Sequence, residues 1–122
     1  MAGIAELRAV VLDTPEPRKL AEFYRALVGG EIVDDDGEWV TLRDGATVLL
    51  SFQLSPDYQP PVWPSAERGQ QFHIDVTVDD VDRAEAEVLA LGATKHQVQP
   101  PEGEPWRVYV DPTGHPFCLC WD

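Results

Sequence analysis

His73 and Asp75 stand two residues apart in the stretch Gln71-Phe72-His73-Ile74-Asp75-Val76-Thr77-Val78-Asp79-Asp80. Residues so spaced on a strand project from one face, so His73 reads as a metal ligand, a general base or a polar anchor with a carboxylate beside it. Phe72, Ile74, Val76 and Val78 hold the opposite parity, which predicts a core face backing a polar face of His73, Asp75 and Thr77. Cys118 and Cys120 are also two apart. A disulfide across that spacing is strained, so reduced thiols are expected, as small apolar fillers or, with His73 as activator, as nucleophiles.

Aromatic residues supply a second set of candidates. Trp39, Trp106, Tyr58 and Tyr109 default to core packing, whereas Trp63 lies in Ser55-Pro56-Asp57-Tyr58-Gln59-Pro60-Pro61-Val62-Trp63-Pro64, whose four prolines predict an irregular connector. Tyr58 and Trp63 on such a segment form an aromatic wall for a planar ligand or a clamp between modules. Arg107 pairs with surface carboxylates or, if it and Tyr109 face the ligand side, orients an anionic group. His96 and His115 fall in loops or turns and take no chemical role.

These residues must be held by regular elements, and the pattern predicts the same series twice. Leu7 to Leu12 reads as a strand, and Asp13-Thr14-Pro15-Glu16-Pro17 as a helix entry. Leu20, Phe23, Tyr24 and Leu27 follow at helical spacing until Gly29-Gly30 closes the helix. Strands are expected at Glu31 to Val33, Trp39 to Leu42 and Thr47 to Leu54, with turns at Asp36-Gly37 and Asp44-Gly45. After the connector comes a strand from His73 to Val78, then a helix capped by Asp79 or Asp80 with Val81, Ala84, Val88 and Leu91 on one side. Gly92 ends it, and strands near Lys95 to Val98, Trp106 to Val110 and Phe117 to Trp121 complete the set. Two modules of about 55 residues are marginal alone, so a single domain with one shared core is expected. Its parts are module one at about 4–54, a connector at 55–70 and module two at about 71–122.

The chain has 122 residues, with 9 Lys+Arg against 22 Asp+Glu and a formal charge of -13. That field repels nucleic acid and anionic membranes, and neither is expected as a partner. No apolar stretch approaches the ~20 residues of a membrane span, and Met1 to Arg8 has no signal-like pattern, so a cytoplasmic protein is expected.

The quoted segments, together with Leu91-Gly92-Ala93 and Asp111-Pro112-Thr113-Gly114-His115-Pro116-Phe117, resemble the vicinal oxygen chelate superfamily in its glyoxalase-like, bleomycin-resistance and dioxygenase branch. The resemblance spans nearly the whole chain. It implies an α+β fold of two βαβββ modules, a curved mixed sheet around a central cup, and often a homodimer. In metal-using members one ligand comes from the first strand and one from the last strand of each module.

His73 matches the first-strand ligand of module two. Cys118 stands where a glutamate is usual, with Cys120 next on the same face, and a thiolate is a zinc ligand. In module one the first-strand region Arg8-Ala9-Val10-Val11 offers no histidine, glutamine or carboxylate, and Gln53 or Ser51 is the best substitute on the last strand. The implied function is small-molecule binding without a complete metal site and without a cofactor, as in sequestration of a toxic or antibiotic-like compound. The residues expected at the ligand are His73, Gln53, Ser51, Trp39, Trp63, Asp75, Arg107, Tyr109 and Cys118. The alternatives are an enzyme of lyase, isomerase or dioxygenase type using His73, and a homodimer with a vestigial cup.

Overall fold

Leu12, Val40, Leu42, Leu50 and Phe52 are buried, and their common parity is the two-residue period of pleated strands. In the computed structural model, which describes residues 3–4, 7–62 and 73–122, they lie in β1 (Val11–Thr14), β3 (Trp39–Asp44) and β4 (Thr47–Leu54), with β2 (Glu31–Val33) completing a sheet of order β1-β4-β3-β2. The β1/β4 pairing is parallel and the rest antiparallel. Helix α1 (Pro17–Val28) covers one face with Leu20, Ala21, Phe23 and Tyr24, a stripe of i, i+3, i+4 spacing. Tyr24 stacks on Phe52 with ring centroids 5.8 Å apart. Pro17 suits the first helical turn, where its missing N–H is no loss, and the Gly29 N–H closes the helix on the Arg25 carbonyl at 2.8 Å.

The second half repeats the plan: β5 (Ile74–Thr77), α2 (Val81–Ala90), β6 (Thr94–Lys95), β7 (Trp106–Val110) and β8 (Pro116–Cys120), in a sheet of order β5-β8-β7-β6. Asp80 caps α2 by accepting the Arg83 N–H at 3.1 Å. Tyr109, Phe117, Leu119 and Val88 form the core of this half, with Tyr109 stacked on Phe117 at 5.7 Å. The chain divides into two compact units, Met1–Tyr58 and Gln59–Asp122, and the boundary falls in the expected connector. Among the described residues no helix is long and apolar enough to cross a membrane. The architecture is thus α+β, with two βαβββ modules.

Several expected boundaries move. The first strand runs over Val11–Thr14, not Leu7 to Leu12: its parallel pairing covers only Ser51 to Leu54, although β4 itself begins at Thr47; Leu7 is left exposed. The β3–β4 turn is Gly45-Ala46, not Asp44-Gly45. Asp44 pairs with Thr47, and Gly45 takes the positive φ of 58° that the first turn position requires. Leu91 caps α2 and is exposed, outside the buried stripe. The expected strand at Lys95 to Val98 stops at Lys95, since beyond His96 a side chain takes over the edge of β7. The Gln99 amide donates to the Val108 carbonyl at 2.7 Å and accepts its N–H at 2.9 Å, replacing a strand partner.

Candidate functional site

Because α2 covers one face of the second sheet, the opposite, open face carries the alternate residues. Asp75 and Cys118 sit opposite each other in the β5/β8 register, and Cys120 pairs with Trp106 across β8/β7. His73 immediately precedes β5, and its Nε2 lies 3.1 Å from Asp75 Oδ1. Donor atoms of His73, Asp75 and Cys118 all lie within 4.8 Å of one another. Beside them is a groove of about 350 Å³ lined by His73, Gln99, Pro100, Pro101, Trp106, Val108 and Cys118. The Gln99 amide that edges β7 also fixes Pro100 and Pro101 as one wall of that groove.

The electrostatics at this face keep the thiols neutral. Burial, then the Asp75 carboxylate and Cys120, push the Cys118 thiol up to about 12. Burial and Asp75 raise Cys120 as well. A thiol in this state is a poor nucleophile at neutral pH. On the other face of the sheet, burial and the Glu85 carboxylate raise the Tyr109 hydroxyl. Groups whose folded pKa is raised stabilise the fold below their ordinary pKa, and that contribution is lost as pH climbs through the folded value. The melting temperature is therefore expected to fall from about pH 9 toward pH 12, the span between the ordinary and shifted values for Cys118. A thermal-melt series should show a shallower alkaline decline for Cys118→Ala, and an unchanged slope would refute the assignment.

Two expected ligand residues are on the wrong side. Arg107 and Tyr109 share the helix-covered face. The Tyr109 hydroxyl donates to Glu85 at 2.8 Å, and Arg107 reaches Asp82 at 3.1 Å and Glu85 at 3.4 Å. Lys95 joins the same carboxylate at 2.9 Å. Burial pushes the Glu85 carboxyl up, but Lys95 and the Tyr109 hydroxyl outweigh it and hold the group below its ordinary value. Arg107 also stacks over Trp121 at 5.8 Å and lines a neighbouring groove of about 340 Å³. Neither residue joins His73, because their parity on β7 is that of Leu119 and Phe117, the core face.

In the first unit, Trp39, Thr41 and Ser51 lie on the open face, and with Arg8, Ala9, Asp34, Arg43 and Val48 they line a pocket of about 450 Å³. Gln53 is exposed on the same face but does not line it. The pairing registers make the two pockets equivalent. Trp39 opposite Gln53 corresponds to Trp106 opposite Cys120, and Val11 opposite Ser51 corresponds to Asp75 opposite Cys118. Ala9 then stands where the second unit has His73, Ser51 where it has Cys118, and Gln53 where it has Cys120. Trp63 lies outside the described residues.

A metal ion is what the fold family leads one to test here. Imidazole, carboxylate and thiolate are three ordinary ligands of a zinc-class ion, and three protein ligands are the complement of an open site. His73, Asp75 and Cys118 fit that requirement in kind and number. Ala9, Val11 and Ser51, their register equivalents, offer no ligand of comparable strength. Asp75, expected from sequence as a ligand contact beside His73, gains this second capacity only because β5/β8 pairing sets it against Cys118.

Comparison with known proteins agrees with the fold. Residues 9–120 match the family model described as "Glyoxalase-like domain". No curated protein sequence matches. Among solved structures, a glyoxalase/bleomycin resistance protein/dioxygenase family enzyme from Burkholderia phytofirmans PsJN is similar at 20% identity and TM-score 0.71, over 96% of this chain and 98% of that one. A genomically encoded fosfomycin resistance protein from Listeria monocytogenes is similar at 16% identity and TM-score 0.70, over 98% and 95%. A glyoxalase family protein from Enterococcus faecalis is similar at 20% identity and TM-score 0.67, over 96% and 98%. With the family model spanning nearly all of both βαβββ modules, the chain belongs to the glyoxalase-like domain family of the vicinal oxygen chelate superfamily.

Proposed function

We propose that the second unit binds a small organic molecule at the His73 groove, in the manner of a sequestering protein for a toxic or antibiotic-like compound. The observation that supports this most directly is the juxtaposition of an apolar wall with a polar end. Trp106, Val108, Pro100 and Pro101 take the body of the ligand, and His73 with Cys118 takes its polar group, in a groove of ligand size. The neighbour from Listeria monocytogenes, named for fosfomycin resistance, lends the antibiotic-like class its support by analogy of fold. A thermal-shift screen of planar aromatics, thiol conjugates and antibiotics tests it. A ligand at 100 times its dissociation constant stabilises by ~2.7 kcal/mol, and Trp106→Ala or His73→Ala should abolish that shift. A shift that survives both variants, or none across the panel, would sink the reading.

A second reading has its own observation. The His73, Asp75 and Cys118 donors suit a zinc-class ion, which would supply Lewis-acid chemistry to a lyase- or dioxygenase-type activity. Metal analysis of protein purified without chelator decides it. Stoichiometric zinc, iron, nickel or manganese that disappears in His73→Ala and Cys118→Ala establishes the site. Failure to retain zinc after reconstitution removes it.

A further inference from the structure

The chain carries 9 Lys+Arg among 22 Asp+Glu, so a basic side chain without an acidic partner is unusual. Arg18 pairs with Glu22 and Asp35, Lys19 with Glu16, Arg25 with Glu22, and Arg83 with Glu87. Lys95 and Arg107 pair with Glu85 and Asp82. Arg68 lies outside the described residues. Among the described residues that leaves Arg8 and Arg43 without a carboxylate partner, and both line the same pocket of about 450 Å³ in the first unit.

Three further features point the same way. Arg43 Nε is a buried donor with no hydrogen-bond partner, and a donor left so is costly unless something accepts from it. A register shift falls at Leu42/Arg43, where Leu42 faces Leu50 but Arg43 faces Val48. Leu49 is thereby the extra residue of a bulge, a device that re-aims a side chain. The hydroxyl-bearing residues at the floor are buried, Thr41 at 5% and Ser51 at 2% exposure. The Thr41 oxygen already accepts the Trp39 indole N–H at 3.1 Å, which leaves its own O–H free to donate.

We propose that this pocket is an oxyanion-binding site of the first unit, taking the carboxylate of a small planar organic monoanion. The Arg43 and Arg8 guanidinium groups match a carboxylate in geometry as well as charge, Thr41 donates to it, and Trp39 offers a flat apolar face to the body. Asp34, also lining the pocket, disfavours polyanions and selects a single negative charge. The register that equates Ser51 with Cys118 and Ala9 with His73 makes this the counterpart of the second unit's groove, with cations and hydroxyls where that groove has imidazole and thiol. It goes beyond the reading for the His73 groove and stands or falls without it.

The test is an NMR titration of the full chain with benzoate, benzamide as its uncharged isostere, and inorganic phosphate. Benzoate should move the Trp39 indole N–H and the amides of Thr41, Arg43 and Ser51, with an affinity that weakens between about 50 and 500 mM salt. Benzamide and phosphate should bind at least about tenfold more weakly, a difference of ~1.4 kcal/mol. Arg8→Gln and Arg43→Gln should each weaken benzoate, and Asp34→Asn should strengthen it. His73→Ala should leave it unchanged, which separates this site from the His73 groove. Arg8 precedes β1 in irregular chain, so Arg8→Gln tests the proposal even if Arg43→Gln fails to fold. Equal binding of benzamide, benzoate affinity unaltered in Arg8→Gln/Arg43→Lys, no shift at these resonances at about 10 mM benzoate, or loss in His73→Ala alone would overturn it.

Discussion

Asp111→Ala is expected to lower the unfolding free energy by about 3 kcal/mol, as two backbone donors lose their acceptor inside the turn before β8. One carboxylate oxygen of the buried Asp111 accepts the N–H groups of Thr113, Gly114 and His115 at 2.8, 2.9 and 3.1 Å. Gly114 keeps the Asp111 carbonyl as an alternative at 2.9 Å, but the Thr113 and His115 donors lose theirs. Asp111→Asn retains an acceptor oxygen in the same place and should cost about 1 kcal/mol. Urea unfolding of both variants, with unchanged m, measures the difference. Equal losses would mean that the charge, and not the acceptor geometry, holds the turn. The turn matters to the site because β8 carries Cys118 just beyond it, and because Gly114, at a φ of 106°, packs so closely that an added Cβ would meet Pro60 at 2.5 Å.

Much of the fold was legible because the elements advertise themselves locally. Thr47–Leu54 and Trp106–Val110 are β-branched and apolar runs bounded by Gly45 and Pro56 and by Pro105 and Pro112, so both ends of each were readable despite the bulge at Leu49. Pro17, Gly29 and Asp80 are helix punctuation whose meaning depends only on neighbours in the chain. The first strand was misplaced because the apolar run Leu7 to Leu12 is set by composition, whereas strand extent is set by which residues pair, here Val11 to Thr14 with Ser51 to Leu54. The Asp34-Asp35-Asp36 run, which reads as a charge cluster, is in part loop wiring. Asp36 accepts the Glu38 and Trp39 N–H groups at 2.9 and 2.7 Å, and Asp35 accepts from Gly37 and Arg18.

The candidate sites were legible where parity alone decides, and lost where pairing decides. His73 and Asp75 were placed on one face by alternation along β5, whereas Cys118 was reached through the resemblance and is set opposite Asp75 by the β5/β8 pairing. Arg107 and Tyr109 alternate with Trp106 and Val108, but only the β7/β8 register shows that Trp106 and Val108 face Cys120 and Cys118 while Arg107 and Tyr109 face α2. Gln99 carried no signal at all, because an amide that replaces a strand is recognisable only once β7 has an open edge. Arg8 and Arg43 were invisible for a related reason. Whether a guanidinium has a carboxylate beside it is a property of the folded chain, and the sequence shows only that acids are abundant.

The two units therefore keep one plan and diverge in chemistry. Trp39 and Trp106 hold equivalent places beside the two pockets, and around them Ser51, Thr41 and Arg43 in one unit answer to Cys118, Val108 and Val110 in the other. The helix-covered faces are alike in kind, each with a Tyr stacked on a Phe at an interplanar angle of 27°. Conservation of the apolar side with divergence of the open side is what separates a scaffold from the sites grafted on it.

Phe52→Ala is expected to cost about 3–5 kcal/mol, a large share of the roughly 5–15 kcal/mol that holds a domain folded. Phe52 is fully buried, stacks on Tyr24 at 5.8 Å, and pairs with Leu12 on one side and Val40 on the other. Removing the ring leaves a cavity at the centre of the first sheet that α1 cannot fill, because Phe23 is held edge-on against Tyr24 at 5.1 Å. Phe52→Leu keeps most of the volume but loses the aromatic pair, and should cost about 1–2 kcal/mol. Urea unfolding followed by far-ultraviolet circular dichroism measures both. Ser51 and Gln53 flank Phe52 on β4 and point the other way, so the leucine variant, still folded, should also loosen the floor of the arginine pocket and weaken benzoate there. A loss below about 1 kcal/mol for the alanine variant would show that the first sheet does not depend on this ring.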